Sequence, residues 1–89
     1  MEEITARDGS SHVQEIIAES WRAVLDVPEV SDDDDFFELG GYSIAVTRIS
    51  SYLRRELGVD IDILQFWDTP IFGDFRAAVE SLVMKNQQI

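Results

Sequence analysis

The chain has 89 residues, with 7 Lys and Arg against 18 Asp and Glu, a formal net charge of −11. A chain this short folds as one domain burying only about 60 to 65% of its unfolded surface, which excludes a multidomain enzyme. Its charge argues against nucleic acid, where binding needs clustered cations. With no Cys there is no disulfide, no thiolate zinc site and no thiol nucleophile. Two Trp, two Tyr and five Phe within 45% hydrophobic content are too many for a disordered acidic tail. No apolar run approaches the ~18 residues that cross a bilayer, and MEEITARDGS lacks the parts of a signal peptide. No membrane partner and a cytoplasmic location are expected.

Residues 1–10 have no apolar period and are expected to form a flexible N-terminal arm. Ser11 with Gln14 suits a capping box, and Val13, Ile16, Ile17, Trp21, Val24 and Leu25 recur at three- and four-residue spacing. They predict an amphipathic helix that Pro28 stops. PEVSDDDDFFELGG then reads as a long loop, pinned to the core by Phe36, Phe37 and Leu39, and a loop of about a dozen residues in so small a domain is usually functional. From Ser43 the helical period resumes through Val46, Ile49, Leu53 and Leu57, with Gly58 placed to end the helix in left-handed geometry. Arg48, Arg54 and Arg55 against Glu56 give this second helix a balance of +2.

In VDIDILQFWDTP, Val59, Ile61 and Ile63 alternate like a strand, but a lone strand has nothing to pair with. An extended entry and a short helical turn from Ile63 to Trp67 fit better. Asp68 or Thr69 is expected to cap a last helix with Pro70 in its first turn and Ile71, Phe72, Phe75, Val79, Leu82 and Val83 inward. Residues 85–89 are expected to be a flexible tail, leaving 11–84 as the folded domain. Phe66 and Trp67 read first as core aromatics.

His12 is the only histidine and precedes every candidate serine, so a nucleophile triad is not supported. Gly41-Tyr42-Ser43-Ile44-Ala45 misses the last position of the nucleophile elbow and follows a loop instead of a strand. An EF-hand frame from Asp32 puts Phe37 and Ser43 where Gly and Glu belong, and a frame from Asp33 puts Glu38 and Ile44 there. No metal site is expected, and Asp32 to Asp35 read as a solvated loop. Ser43 has two readings: a helix N-cap after a glycine pair, or an attachment point for a phosphate ester, which the free amides and positive pole of a helix start would favour.

FFELGGYSIAVTRISSYLRRELGVDIDILQFWDTP resembles the phosphopantetheinyl carrier proteins, in the peptidyl carrier branch of nonribosomal peptide assembly, and the likeness extends over about residues 11 to 83. It rests on the apolar pair and glutamate, then Leu39-Gly40-Gly41-x-Ser43-Ile44, an arginine-bearing helix and RRELGV. The resemblance implies an all-α, right-handed four-helix bundle, three helices long and one short, with a long loop between the first two. It implies that Ser43, flanked by Gly41, Tyr42 and Ile44, carries 4′-phosphopantetheine donated from coenzyme A by a phosphopantetheinyl transferase. The implied role is a non-catalytic shuttle holding an aminoacyl or peptidyl group as a thioester in nonribosomal peptide or antibiotic biosynthesis. Its partners would be an adenylating enzyme and downstream condensation, tailoring or thioesterase enzymes.

Gly40-Gly41-Tyr42-Ser43 and the +2 helix favour the peptidyl branch over fatty-acid carriers, which usually read Leu-Gly-x-Asp-Ser before an acidic helix. An acyl carrier of polyketide or hybrid assembly is the neighbouring alternative, and a small acidic interaction module the alternative of another class. Tyr42 departs from the family's usual His or Asp, Leu64 from a polar residue and Ile71 from a capping Thr. Tyr42, Ile44, Thr47, Ser51 and Leu64, with Arg48 and Trp67, are expected to form a partner face. Met1 and the short end after the last helix suggest a freestanding protein, and a monomer is the default.

Overall fold

The structure, a computed structural model, describes residues 4–86, with side-chain surroundings from residue 11 onward. It contains four helices: α1 Ile4–Leu25, α2 Ser43–Leu57, α3 Ile63–Asp68 and α4 Phe72–Asn86. Among the described residues the sole β feature is an isolated antiparallel bridge between Asp35 and Ile71. The expected plan of three long helices, one short helix and a long first loop is present. The ends of the proposed arm and tail, residues 1–3 and 87–89, lie outside the described residues.

Three boundaries differ from the sequence expectation. The first helix starts at Ile4, so Ser11 lies within it and is not its N-cap. Backbone bonding carries α1 through a stretch without an apolar stripe, and Gly9 weakens it without ending it. At its other end α1 stops at Leu25, before Pro28. Asp26 takes a left-handed φ of 58°, and the Val27 amide donates to the Arg22 carbonyl at 3.1 Å, a Schellman-type closure. At the C-terminus α4 continues through Lys85 and Asn86, and the Asn86 side-chain Nδ2 donates to the Gly58 carbonyl at 3.2 Å.

Helix α1 packs against α2 and α4, while short α3 leans on α2. The core is supplied by Ile17 and Trp21 of α1, Val46, Ile49 and Leu53 of α2, Phe66 of α3, and Phe72, Phe75, Val79 and Val83 of α4. Val59 and Ile61, the alternating positions before α3, are also buried, and Ser50 ties their segment to α2 by donating to the Ile61 carbonyl at 3.0 Å. At the centre, the Phe36 ring lies 5.3 Å from Trp21, 4.8 Å from Phe66 and 5.2 Å from Phe37. Such pairs add roughly 0.5–1.5 kcal/mol each beyond burial.

Phe36 belongs to the long loop, which two further attachments hold down. The Phe36 amide donates to the Pro70 carbonyl at 2.7 Å and the Phe72 amide to the Asp34 carbonyl at 2.8 Å, forming the bridge around Ile71. The Gly73 amide donates to the Asp32 carbonyl at 2.9 Å, and the Arg76 guanidinium forks onto the Asp32 carboxylate at 2.6 and 3.2 Å. Loop carbonyls therefore satisfy amides at the start of α4. The expected cap from Asp68 or Thr69 is corrected accordingly: Thr69 closes α3, its hydroxyl donating to the Gln65 carbonyl at 2.8 Å, and Pro70 and Ile71 precede α4.

Candidate functional site

Ser43 is the first residue of α2, and its neighbour Tyr42 is the N-cap, extended at φ −132° and ψ −171° with no side-chain cap bond. The N-cap reading of Ser43 is thus not realised. The first intrahelical bond runs from the Val46 amide to the Tyr42 carbonyl at 3.0 Å. The amides of Ser43, Ile44 and Ala45 consequently have no helical acceptor, and they sit at the positive end of the helix dipole. No acidic residue occupies this first turn. The Ser43 side chain is exposed, and among the described residues its hydroxyl has no hydrogen-bond partner.

The preceding loop is built to deliver that serine. The Asp35 carboxylate accepts from the Phe37 and Glu38 amides at 2.8 and 3.2 Å, and the Asp34 carboxylate accepts from the Ser31 amide at 2.8 Å. The aspartate run is therefore partly structural: Asp32, Asp34 and Asp35 shape the turn and anchor it. Gly40 follows with a φ of 94°, a left-handed conformation that favours glycine. Gly41 is buried, and a Cβ placed on it would lie 2.5 Å from the Phe36 ring. The two glycines serve different needs, backbone angle at Gly40 and space at Gly41. Gly41, expected beside the cofactor, faces the core.

Tyr42 at 71% and Ile44 at 69% flank Ser43 as large exposed apolar side chains, Trp67 at 62% lines a groove with it, and Leu64 is exposed to the same 62% on α3. Thr47, Arg48 and Ser51 are exposed as well, so all seven expected partner-face residues reach the surface. Phe66 and Trp67 part company, because adjacent helical positions point about 100° apart. Phe66 enters the core and Trp67 lies outside, its ring 4.9 Å from Phe37. Ile63, grouped by its alternation with the buried Val59 and Ile61, is 46% exposed and belongs to this face. A helix beginning at Ile63 breaks the strand-like period, and the Asp62 cap, accepting from the Leu64 amide at 3.1 Å, was the signal.

Among the described residues three grooves are lined by Ser43. One runs along α2 past Thr47 and Ser51 to Asp60, Ile61 and Ile63. A second reaches the end of α1 through Tyr42, Ile44 and Arg48 to Val24 and Leu25. The third passes between Tyr42, Phe37, Val46, Phe66 and Trp67. Leu64 lines none of them. Asp60 is the one acid among these linings, and Arg54 holds it at 2.9 Å. His12 is exposed on α1 and lines none of these three grooves.

Groups with displaced pKa values lie elsewhere: the Arg76 hydrogen bond lowers Asp32, and burial, with Glu19 and Glu56, raises Tyr52. An exposed hydroxyl beside free helix amides fits a phosphodiester. Among the described residues no His, Asp and Glu cluster forms a metal site, and no helix is long and apolar enough to cross a membrane.

Comparison with known proteins agrees with this geometry. Residues 15–79 match the family described as phosphopantetheine attachment site. The dimodular nonribosomal peptide synthase of Bacillus subtilis is 34% identical over 77 residues, 86% of this chain and 3% of that protein. In eight such curated relatives this chain spans no more than 6% of the length. BlmI, a type-II acyl carrier protein from Streptomyces verticillus involved in bleomycin biosynthesis, superposes with a TM-score of 0.73 at 22% identity, covering 86% of this chain and 93% of its own. A chain from the complex of the phosphopantetheine transferase Sfp with coenzyme A and a peptidyl carrier protein superposes at 0.71 with 25% identity, covering 78% and 90%.

Proposed function

The chain belongs to the phosphopantetheine-attachment family of carrier proteins, substrate shuttles rather than catalysts, and from that we propose that Ser43 is its attachment point in a peptidyl carrier of nonribosomal peptide assembly. The carrying observation is the exposed, unpartnered Ser43 hydroxyl at the amide-rich start of α2. The arm's terminal thiol supplies the thioester chemistry that a chain without Cys lacks. The protein's own residues supply position. Tyr42 as N-cap and Phe36 under Gly41 hold Ser43 outward, and the amides of Ser43, Ile44 and Ala45 receive the phosphodiester charge.

Gly41 supports the site from beneath, while Tyr42 and Ile44 flank it. These two, with Thr47, Arg48, Ser51, Leu64 and Trp67, form the surface that partner enzymes contact, since exposed apolar patches of this kind mark interfaces. The first partner is a phosphopantetheinyl transferase, supported by the likeness to a carrier in complex with one. An adenylating enzyme then loads the thiol, and condensation, tailoring or thioesterase enzymes unload it. The unit acts in the cytoplasm as a monomer through its four-helix body, residues 11–84 in the main.

The test is intact mass after incubation with coenzyme A and a broad-specificity transferase. One phosphopantetheinyl group is expected on the wild type and none on Ser43→Ala. No gain on a folded, previously unmodified wild type would refute the assignment.

A further inference from the structure

Of the three grooves lined by Ser43, one is long. It follows a single face of α2, on which Ser43, Thr47, Ser51 and Arg54 recur at helical spacing, and it ends at Asp60. Ser43 and Arg54 are eleven residues apart, about 16.5 Å at 1.5 Å of rise per residue. The other two grooves follow α2 no further than Arg48 and Val46. The long groove has buried apolar walls, Val46 and Ile61, and a rim of hydroxyls. Thr47 and Ser51 are exposed; the Thr47 hydroxyl donates to the Ser43 carbonyl at a long 3.3 Å, and the Ser51 hydroxyl has no partner among the described residues. At the far end Arg54 Nε donates to Asp60 Oδ1 at 2.9 Å. The terminal guanidinium N–H groups and Asp60 Oδ2 have no partner among the described residues.

Resting on the reading of Ser43 as the attachment point, we infer that this groove is the resting site of the protein's own phosphopantetheine arm, and that its charged end is matched to an α-aminoacyl cargo. The arm's thirteen bonds from phosphorus to sulfur, extended, reach about 16 Å at about 1.2 Å per bond, the length of the groove. Its two amide carbonyls fall five and nine bonds from phosphorus, about 6 and 11 Å along, while Thr47 and Ser51 stand about 6 and 12 Å from Ser43 along the helix. Thr47 and Ser51 therefore meet the two amides in register, and Val46 and Ile61 cover the methylenes between them. Beyond the sulfur an α-aminoacyl group carries a carbonyl acceptor and an ammonium donor. Arg54 has N–H groups for the first and Asp60 an oxygen for the second. An alkyl cargo would set apolar surface against that ion pair and strip its water, so the groove discriminates by cargo polarity. Hydroxyl contacts on an exposed rim replace contacts with water at little net gain, so the arm is released as readily as a shuttle requires.

The chain has no Cys, so the arm's thiol is the sole thiol of the modified protein. Isotope-labelled full-length wild type is converted with coenzyme A at saturating transferase, verified by intact mass, and capped at that thiol with a nitroxide. Amide NMR signals are compared before and after reduction of the label. Signal loss at Asp60 and Ile61 is expected to exceed that at Val24 and Leu25, which line the α1-side groove, at least ~2-fold, because a resting arm populates one groove. Combining Thr47→Val with Ser51→Ala should even out the two sides. Equal losses on both sides in the wild type, or an asymmetry that survives removal of both hydroxyls in a protein of unchanged melting temperature, overturns the resting site. For the cargo, the arm is loaded with a glycyl or an acetyl group through a hydrolysis-resistant amide in place of the thioester. The glycyl arm is expected to shift the Asp60 signals more than the acetyl arm, and equal shifts overturn the cargo match. A mass gain with even losses refutes the groove alone, whereas no mass gain on the wild type refutes the Ser43 assignment and the groove with it.

Discussion

Gly41→Ala isolates the physical demand that seats Ser43. The added methyl carbon would lie 2.5 Å from two Phe36 ring carbons and 2.6 Å from a third, about 1 Å inside ordinary contact. The ring has no room to retreat, because Phe36 is 0% exposed and packs on Trp21, Phe37 and Phe66 at 4.8–5.3 Å. The backbone at Gly41 must move instead, straining the bond from its amide to the Phe36 carbonyl at 2.9 Å. Overpacking costs about 1–3 kcal/mol and a weakened buried hydrogen bond about 1 more, offset by about 0.4–1 from the stiffer unfolded chain.

The net loss is about 1–3.5 kcal/mol, a fall in Tm of roughly 5–25 °C for a domain of this size. Urea unfolding by far-UV circular dichroism measures it as a lower midpoint at constant m. Gly40→Ala is the control: nothing lies within 4 Å of its Cβ, and its loss of about 1 kcal/mol comes from the φ of 94° alone. In a Phe36→Leu background the Gly41→Ala penalty should shrink by at least ~0.5 kcal/mol, since the ring that causes it is gone. A Gly41→Ala protein within ~0.5 kcal/mol of wild type, or strict additivity with Phe36→Leu, would refute the reasoning.

Three further expectations follow from the same contacts. The Arg76 hydrogen bond lowers the Asp32 pKa in the folded state, so the pair contributes stability above the carboxylate's ordinary 3.8 and loses it as pH falls toward the lowered value. Wild type should therefore lose its advantage over Asp32→Asn in that acid range, and parallel Tm profiles from pH 6 to 2 would count against the pair (about the span in which carboxylates titrate). Asp26→Asn should stabilise by about 0.3–1 kcal/mol in thermal melts, because the left-handed residue ending α1 places a negative charge at the negative pole of the helix. Phe66→Ala should cost about 3–5 kcal/mol while Trp67→Ala costs under ~1 and slows transferase modification, and equal stability losses would contradict the opposite orientations seen on α3.

Much of the fold was legible because it is written in local chemistry. The apolar stripe of Val46, Ile49 and Leu53, the left-handed Gly58 whose amide donates to Arg54 at 2.9 Å, and the break before α3 all express short-range periodicity or backbone preference. Ser43 was legible for the same reason, as a serine after two glycines at the start of a helical period. The exposed residues of α2 followed from their offset to the buried stripe. The start of α1 was not legible, because backbone bonding carries the helix upstream of any side-chain pattern.

The sequence by itself determined four helices, their inward faces and a single serine poised at a helix start, since each depends on residues a few positions apart. The tertiary structure decided what closes the start of α4 and why Gly41 must lack a side chain. The first is met by the backbone carbonyls of Asp32 and Asp34, which every residue type possesses and which leave no mark on composition. The second is set by a ring five positions upstream, locked by aromatic partners from two helices and the loop. Contacts made by atoms common to all residues, or imposed by distant side chains, exist only once the chain has folded around them.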